Sequence, residues 1–146
     1  MTAAIAETDV ELSVVVPVFQ EETAIPLFLD RIIPILEIAA PNYEILFCLD
    51  PGTDGTLEVL NAYAEENSRI RVLVFSRRFG QPSATIAGID HCSGSACVVI
   101  DVDLQDPPEL IQLMMEKWRE GYHVVYAQRR TRKGETIPKR VISYLG

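Results

Sequence analysis

LSVVVPV, residues 12–18, is apolar at every position but Ser13. A strand with one wet face alternates apolar and polar residues; an unbroken run suits a strand covered on both faces, the usual situation in a parallel sheet. Four more short apolar runs follow: YEILFCL (43–49), IRVLVFS (70–76), SACVVID (95–101) and HVVYAQ (123–128). Between them lie segments of helical length, including EETAIPLFLDRIIPILEIAA (21–40), GTLEVLNAYAEENS (55–68) and DPPELIQLMMEKWREG (106–121). Strand–helix alternation of this kind reads as an α/β, Rossmann-like layered fold, a mostly parallel sheet with helices on both faces. Pro34 falls inside the first helical segment, where a missing N–H and a ring clash predict a kink or a break.

The 146 residues are the length of one domain, with 48% hydrophobic and 23% charged residues, as in ordinary globular proteins. No uncharged apolar run approaches the ~20 residues of a membrane span, and MTAAIAETDVEL carries no basic residue ahead of its apolar stretch, so a cytoplasmic chain without signal peptide or span is expected. Cys48, Cys92 and Cys97 are odd in number and lack zinc-site spacing; they read as reduced core residues. Charge is uneven: residues 1–128 carry 7 Lys+Arg against 20 Asp+Glu, and residues 129–146 carry 6 against 1. The acidic body argues against general nucleic-acid binding, which needs a basic footprint. The chain divides into an N-terminal extension (1–11), a body (12–128) and a basic tail (129–146).

Four of the five runs end in polar residues: PVFQEE, LDPGTDG, SRRFGQ and DVDLQ. In open α/β sheets ligands bind outside the carboxyl ends of the strands, so these ends are expected to converge on one crevice. The first turn has no glycine, which removes the GxGxxG dinucleotide fingerprint, and GxxxxGK[ST] is absent. Phosphates would then be held by a cation rather than by a glycine-rich loop. Asp101 and Asp103 fit that reading, since strand geometry points both to one side and like charges about 4 Å apart repel by roughly 4 kcal/mol at an effective dielectric of about 20. Mg²⁺ or Mn²⁺ prefers such hard oxygen ligands and leaves positions for substrate phosphates. Asp106 differs: DPPE reads as a helix start with Asp106 at the N-cap. His91 and His123 read as structural, Met114, Met115 and Trp118 as a packing face, and Arg77 and Arg78 as either phosphate contacts or partners of the acidic surface.

LSVVVPVFQEE, LDPGTDGTLEVL, SRRFGQPSATIAGIDHCSGSACVVIDVDLQDPPELI and EKWREGYHVVYAQRR together resemble the N-terminal half of family 2 glycosyltransferases of the GT-A fold. The likeness is to the polyprenyl-phosphate branch, which includes dolichyl-phosphate mannose synthases and bacterial undecaprenyl-phosphate glycosyltransferases. The resemblance implies that residues 12–128 bind a nucleoside-diphosphate sugar, a UDP- or GDP-hexose. It implies that Asp101, Asp103 and Gln105 meet the divalent ion, with Asp103 the catalytic carboxylate. It further implies that Pro17, Phe19, Glu21, Asp50, Asp101, Val102 and Asp103 line the nucleotide site. The sequence departs from the family pattern at Leu49, Gln20, Pro51-Gly52 and Arg78. The implied reaction is inverting transfer of a hexose to a polyprenyl phosphate at the cytoplasmic face of a membrane, with homo-oligomerisation open. Arg129, Arg130, Arg132, Lys133, Lys139 and Arg140 would meet anionic headgroups, and VISYL would supply the apolar part of a short interfacial helix. The alternative is a non-catalytic nucleotide-binding or interaction module. An Asp-x-Asp phosphohydrolase fits less well: its pair would follow the first strand with a lysine nearby, and no lysine precedes Lys117.

Overall fold

In the computed structural model residues 9–127 are described, together with a short strand at 142–144. The elements run β1 (Leu12–Val18), α1 (Ala24–Ala39), β2 (Tyr43–Leu49), α2 (Thr56–Glu66), β3 (Ile70–Val74), α3 (Gln81–His91), β4 (Ala96–Val99), α4 (Leu110–Arg119), β5 (Val124–Tyr126) and β6 (Ile142–Tyr144). Four parallel strands form a sheet in the order β3-β2-β1-β4. The chain therefore steps outward from β1 to β3 and returns to the other side of β1 for β4. That reversal opens a gap at the carboxyl ends of β1 and β4, where such sheets bind ligands.

The unbroken apolar run of β1 is explained by its place at the centre. Leu12, Val14, Val16 and Val18 face one layer, where they pack with Ile25, Phe28, Leu29, Ile32 and Leu36 of α1, Leu60 of α2, and Ile111 and Met115 of α4. Burying each such side chain stabilises by about 1.5–3 kcal/mol. Phe28 meets Phe47 of β2 edge to face, ring centroids 6.0 Å apart, a geometry favoured by the ring quadrupoles. Val15 faces the opposite layer with Leu46, Cys48 and Ala84 of α3. Gly88 lets α3 lie close to the sheet: a Cβ there would stand 2.4 Å from Val15 Cγ1 and 2.7 Å from Cys48 Sγ.

Several expectations are corrected. α1 runs through Pro34 without a break. Pro34 is exposed, so the carbonyl it leaves unpaired faces water, while the buried face of α1 continues on either side of it. α4 starts later than the reading of Asp106 as its N-cap implies. The regular helix begins at Leu110 with Glu109 at its N-cap position and no side-chain cap bond. Residues 107–109 form a tight turn closed by Leu110 N–H to Pro107 O at 3.1 Å and Ile111 N–H to Pro108 O at 3.0 Å. β5 leaves the main sheet and pairs antiparallel with β6, so Ile142–Tyr144 of VISYL form a strand held by β5 rather than the expected interfacial helix. Of the cysteines only Cys48 is buried; Cys92 is half-buried and Cys97 exposed, because β4 is an edge of the described sheet. The first eight residues and the basic side chains of the tail lie outside the described residues.

Among the described residues no helix is long and apolar enough to cross a membrane. An apolar groove of about 650 Å³ lies between β4, α4 and β5, lined by Met114, Met115, Trp118 and His123 among others. It contains neither of the paired aspartates.

Candidate functional site

The carboxyl ends of the strands bound a crevice of about 300 Å³. Its wall comes from four places in the chain: Pro17, Val18, Phe19 and Glu21 after β1; Asp50 after β2; Arg78, Gln81 and Ala84 from the β3–α3 turn and the start of α3; and Asp101, Val102 and Asp103 after β4. Pro17, Phe19, Glu21, Asp50, Asp101, Val102 and Asp103, all singled out in the sequence, thus lie around one space. Gln105 does not line it; its backbone N–H donates to Asp103 Oδ1 at 3.2 Å.

The turns that carry these groups are tied to one another. Glu21 N–H donates to Thr56 Oγ1 at 2.9 Å, and the Thr56 hydroxyl donates to Asp54 Oδ1 at 2.6 Å. Gln20, with φ +51°, accepts on Oε1 from the Thr53 hydroxyl at 3.0 Å, and Glu22 Oε2 accepts from Gly55 N–H at 3.1 Å. These contacts join the β1–α1 turn to the β2–α2 turn. Asp50, 3% exposed, accepts one N–H on each oxygen, from Phe79 at 3.1 Å and Gly80 at 2.9 Å. It therefore clamps the β3–α3 turn. Gly80 sits at φ +90°, a conformation that side-chain-bearing residues rarely adopt, and from it α3 begins. The Arg78 guanidinium stacks 3.8 Å from the centre of the Phe19 ring, and Arg77 stacks over Phe79 at 4.1 Å.

The crevice concentrates negative charge. Burial pushes the Glu21 carboxyl above its ordinary value, and Asp103, Asp54 and Asp101 push it further. Burial likewise raises Asp101, reinforced by the charges of Asp103 and Asp106 and opposed by a hydrogen bond from Gln81. Gln81 Nε2 donates to Asp101 Oδ1 at 2.9 Å. Each of the paired aspartates is therefore held by one oxygen, Asp101 by Gln81 and Asp103 by the Gln105 N–H, and the other oxygen has no hydrogen bond among the described residues.

Hard, ionisable oxygen donors whose repulsion needs a counter-charge fit a divalent cation. No cluster of three or more His, Cys, Asp or Glu placed to hold a metal occurs among the described residues. A two-carboxylate set suits a cation that completes its shell with substrate phosphates and water, as Mg²⁺ commonly does.

The sequence leaves Arg78 open between a phosphate contact and a partner of the acidic surface, and the structure puts it on the crevice wall. Gln81 and Ala84 were not anticipated. Gln81 had one signal, its position at the end of SRRFGQ, but nothing in the local sequence indicates that its amide reaches Asp101.

Comparison with known proteins adds to this geometry. The family model described as Glycosyl transferase family 2 matches residues 13–143. An uncharacterized glycosyltransferase of Bacillus subtilis is 47% identical over 131 residues, 90% of this chain and 41% of that protein. A bactoprenol glucosyl transferase of Shigella phage SfV is 42% identical over 130 residues, 89% of this chain and 42% of that protein. The chain thus spans about two-fifths of the length of these relatives. Among solved structures, a mannosyltransferase from Pyrobaculum calidifontis in complex with GDP-Man and Mn²⁺ superposes with a TM-score of 0.62 at 23% identity, over 72% of this chain and 31% of that one, a likeness of fold.

Proposed function

This chain belongs to glycosyl transferase family 2, and on that premise we propose that it forms the donor side of an enzyme moving a hexose from a nucleoside-diphosphate sugar to a polyprenyl phosphate with inversion, aided by Mg²⁺ or Mn²⁺. The observation that carries the proposal is the pair Asp101 and Asp103 at the end of β4, each with one oxygen held and one unengaged, facing a crevice also walled by Phe19, Asp50 and Arg78. Support for the acceptor class comes from the relative named a bactoprenol glucosyl transferase, and support for the cation from the neighbour solved with GDP-Man and Mn²⁺.

Asp101 and Asp103 would hold the cation. When bound, the ion supplies Lewis-acid stabilisation of the charge that develops on the departing diphosphate, worth several kcal/mol. Phe19 and the Arg78 guanidinium stacked on one face of its ring form an aromatic and positively charged wall for the nucleotide, and Asp50 keeps the β3–α3 turn in place beside it. Glu21, whose carboxyl is raised first by burial and then by its acidic neighbours, adds to the field that draws a cation into the crevice. An acceptor phosphate monoester is largely ionised near pH 7, its second pKa being about 6, so it can attack without a strong general base. The excess of basic residues over 129–146 supports approach to an anionic membrane surface, each such residue contributing about 1 kcal/mol there.

The test is a thermal-shift panel of UDP, GDP, CDP and their hexose conjugates, with and without Mn²⁺, on the chain and on Asp103→Ala. A ligand at 100 times its dissociation constant adds about 2.7 kcal/mol of stability. One nucleotide should raise the midpoint chiefly with Mn²⁺, and Asp103→Ala should remove the Mn²⁺ component. A panel with no shift refutes donor binding by this chain and favours an interaction module.

A further inference from the structure

The donor-site reading leaves one polar contact of the crevice without a role. Gln81 is the first residue of α3, directly after Gly80 at φ +90°. Its backbone position is restrained from behind by Asp50, which holds the Phe79 and Gly80 N–H groups at 3.1 and 2.9 Å. Its side chain crosses to the end of β4 and meets Asp101 Oδ1 at 2.9 Å. An ionised carboxylate only accepts hydrogen bonds, so the amide must present its NH₂ group there. The like charges of Asp103 and Asp106 stand near Asp101, and rotation away from that repulsion is what an unrestrained side chain would do. A neutral donor resists that rotation without cancelling the negative charge that attracts a cation; a lysine in the same place would cancel it.

We propose that Gln81 is a positioning residue, its side-chain amide fixing the Asp101 carboxylate so that the unengaged oxygen faces the cation and the diphosphate. The inference rests on the donor-site reading above. Partners that orient a metal-binding side chain typically change metal affinity by about 10–100-fold when removed.

The experiment measures Mn²⁺ affinity by electron paramagnetic resonance of the free ion, with the 146-residue chain in the presence of GDP and, separately, of UDP. Gln81→Met keeps length and removes the donor, Gln81→Ala removes both, and Asp103→Ala serves as reference. Gln81 is exposed, so the metal-free thermal midpoint should stay with that of the unsubstituted chain. The expected result is Mn²⁺ binding weakened by about 10–100-fold in both Gln81 variants at an unchanged metal-free midpoint. Unchanged Mn²⁺ affinity in both, with loss in Asp103→Ala, overturns the role of Gln81 and leaves the donor site standing. A weakening matched by a lower metal-free midpoint marks a structural role and also overturns it. Absence of Mn²⁺ binding by the unsubstituted chain, or unchanged binding by Asp103→Ala, overturns the cation site and this inference with it.

Discussion

Substituting Asp50→Asn tests whether this buried carboxylate is the clamp of the β3–α3 turn. Asp50 is 3% exposed and divides its two oxygens between the Phe79 N–H at 3.1 Å and the Gly80 N–H at 2.9 Å. An asparagine keeps one acceptor oxygen and sets an NH₂ group against the other N–H. A buried N–H left without its acceptor costs about 1–3 kcal/mol, and the lost bond was to a charged group. With a central value of about 2 kcal/mol, and roughly 2–4 °C of midpoint per kcal/mol for a domain of this size, the expected fall is roughly 4–8 °C. Calorimetry measures the midpoint, and amide hydrogen exchange reads the turn itself: the Phe79 and Gly80 amides should lose protection, more than those of β2. Asp103→Asn is the contrast. Asp103 is exposed, and among the described residues its side chain accepts only the Gln105 N–H, so its replacement should leave the metal-free midpoint near that of the unsubstituted chain. A midpoint for Asp50→Asn within about 1 °C of the unsubstituted chain, with unchanged exchange at residues 79 and 80, would refute the clamp.

Gly88→Ala gains up to about 1 kcal/mol of helix propensity but forces a Cβ to 2.4 Å from Val15 Cγ1, and overpacking of this kind costs about 1–3 kcal/mol. The midpoint should fall, and a rise would show that α3 can move off the sheet freely. Glu44 supplies the pH dependence. Burial alone would push its carboxyl up, but the Ser93 N–H, the Ser13 hydroxyl and the Arg71 guanidinium outweigh burial and hold it below its ordinary 4.5. A carboxyl lowered on folding contributes stability that is complete above that value and is lost as pH falls through the folded one. The stability gap between the unsubstituted chain and Glu44→Gln, read by urea unfolding, should therefore narrow as pH falls below the ordinary 4.5, and a constant gap contradicts the assignment. Phe28→Ala should cost about 3–5 kcal/mol in the same assay, since Phe28 is fully buried against Phe47; a loss under about 1 kcal/mol would show that the α1 face is not the core.

The element types and the place of the crevice could be read from the sequence by itself. Continuous apolar runs such as LSVVVPV arise because a central parallel strand is covered on both faces, as Val14 and Val15 are here, and parallel strands joined by helices must put all their carboxyl ends on one edge. Pro17, Phe19, Glu21, Asp50, Asp101, Val102 and Asp103, which the resemblance to family 2 glycosyltransferases implies as the nucleotide site, lie at or near strand ends and line one space. What those residues do to one another was not accessible. That Asp50 spends its two oxygens on residues 29 and 30 positions away, and that Gln81 reaches Asp101 across 20 positions, follows from how α3 is seated on β1 and β2 through Gly88, which no local pattern encodes. Local rules also misled where packing competed with them: Pro34 does not break α1, because the buried face of the helix continues on both sides of it. Short-range sterics and burial periodicity determine which segments become strands and helices; the order of strands and the partners of buried polar groups depend on contacts between segments far apart in the chain, and only the assembled tertiary structure decides those.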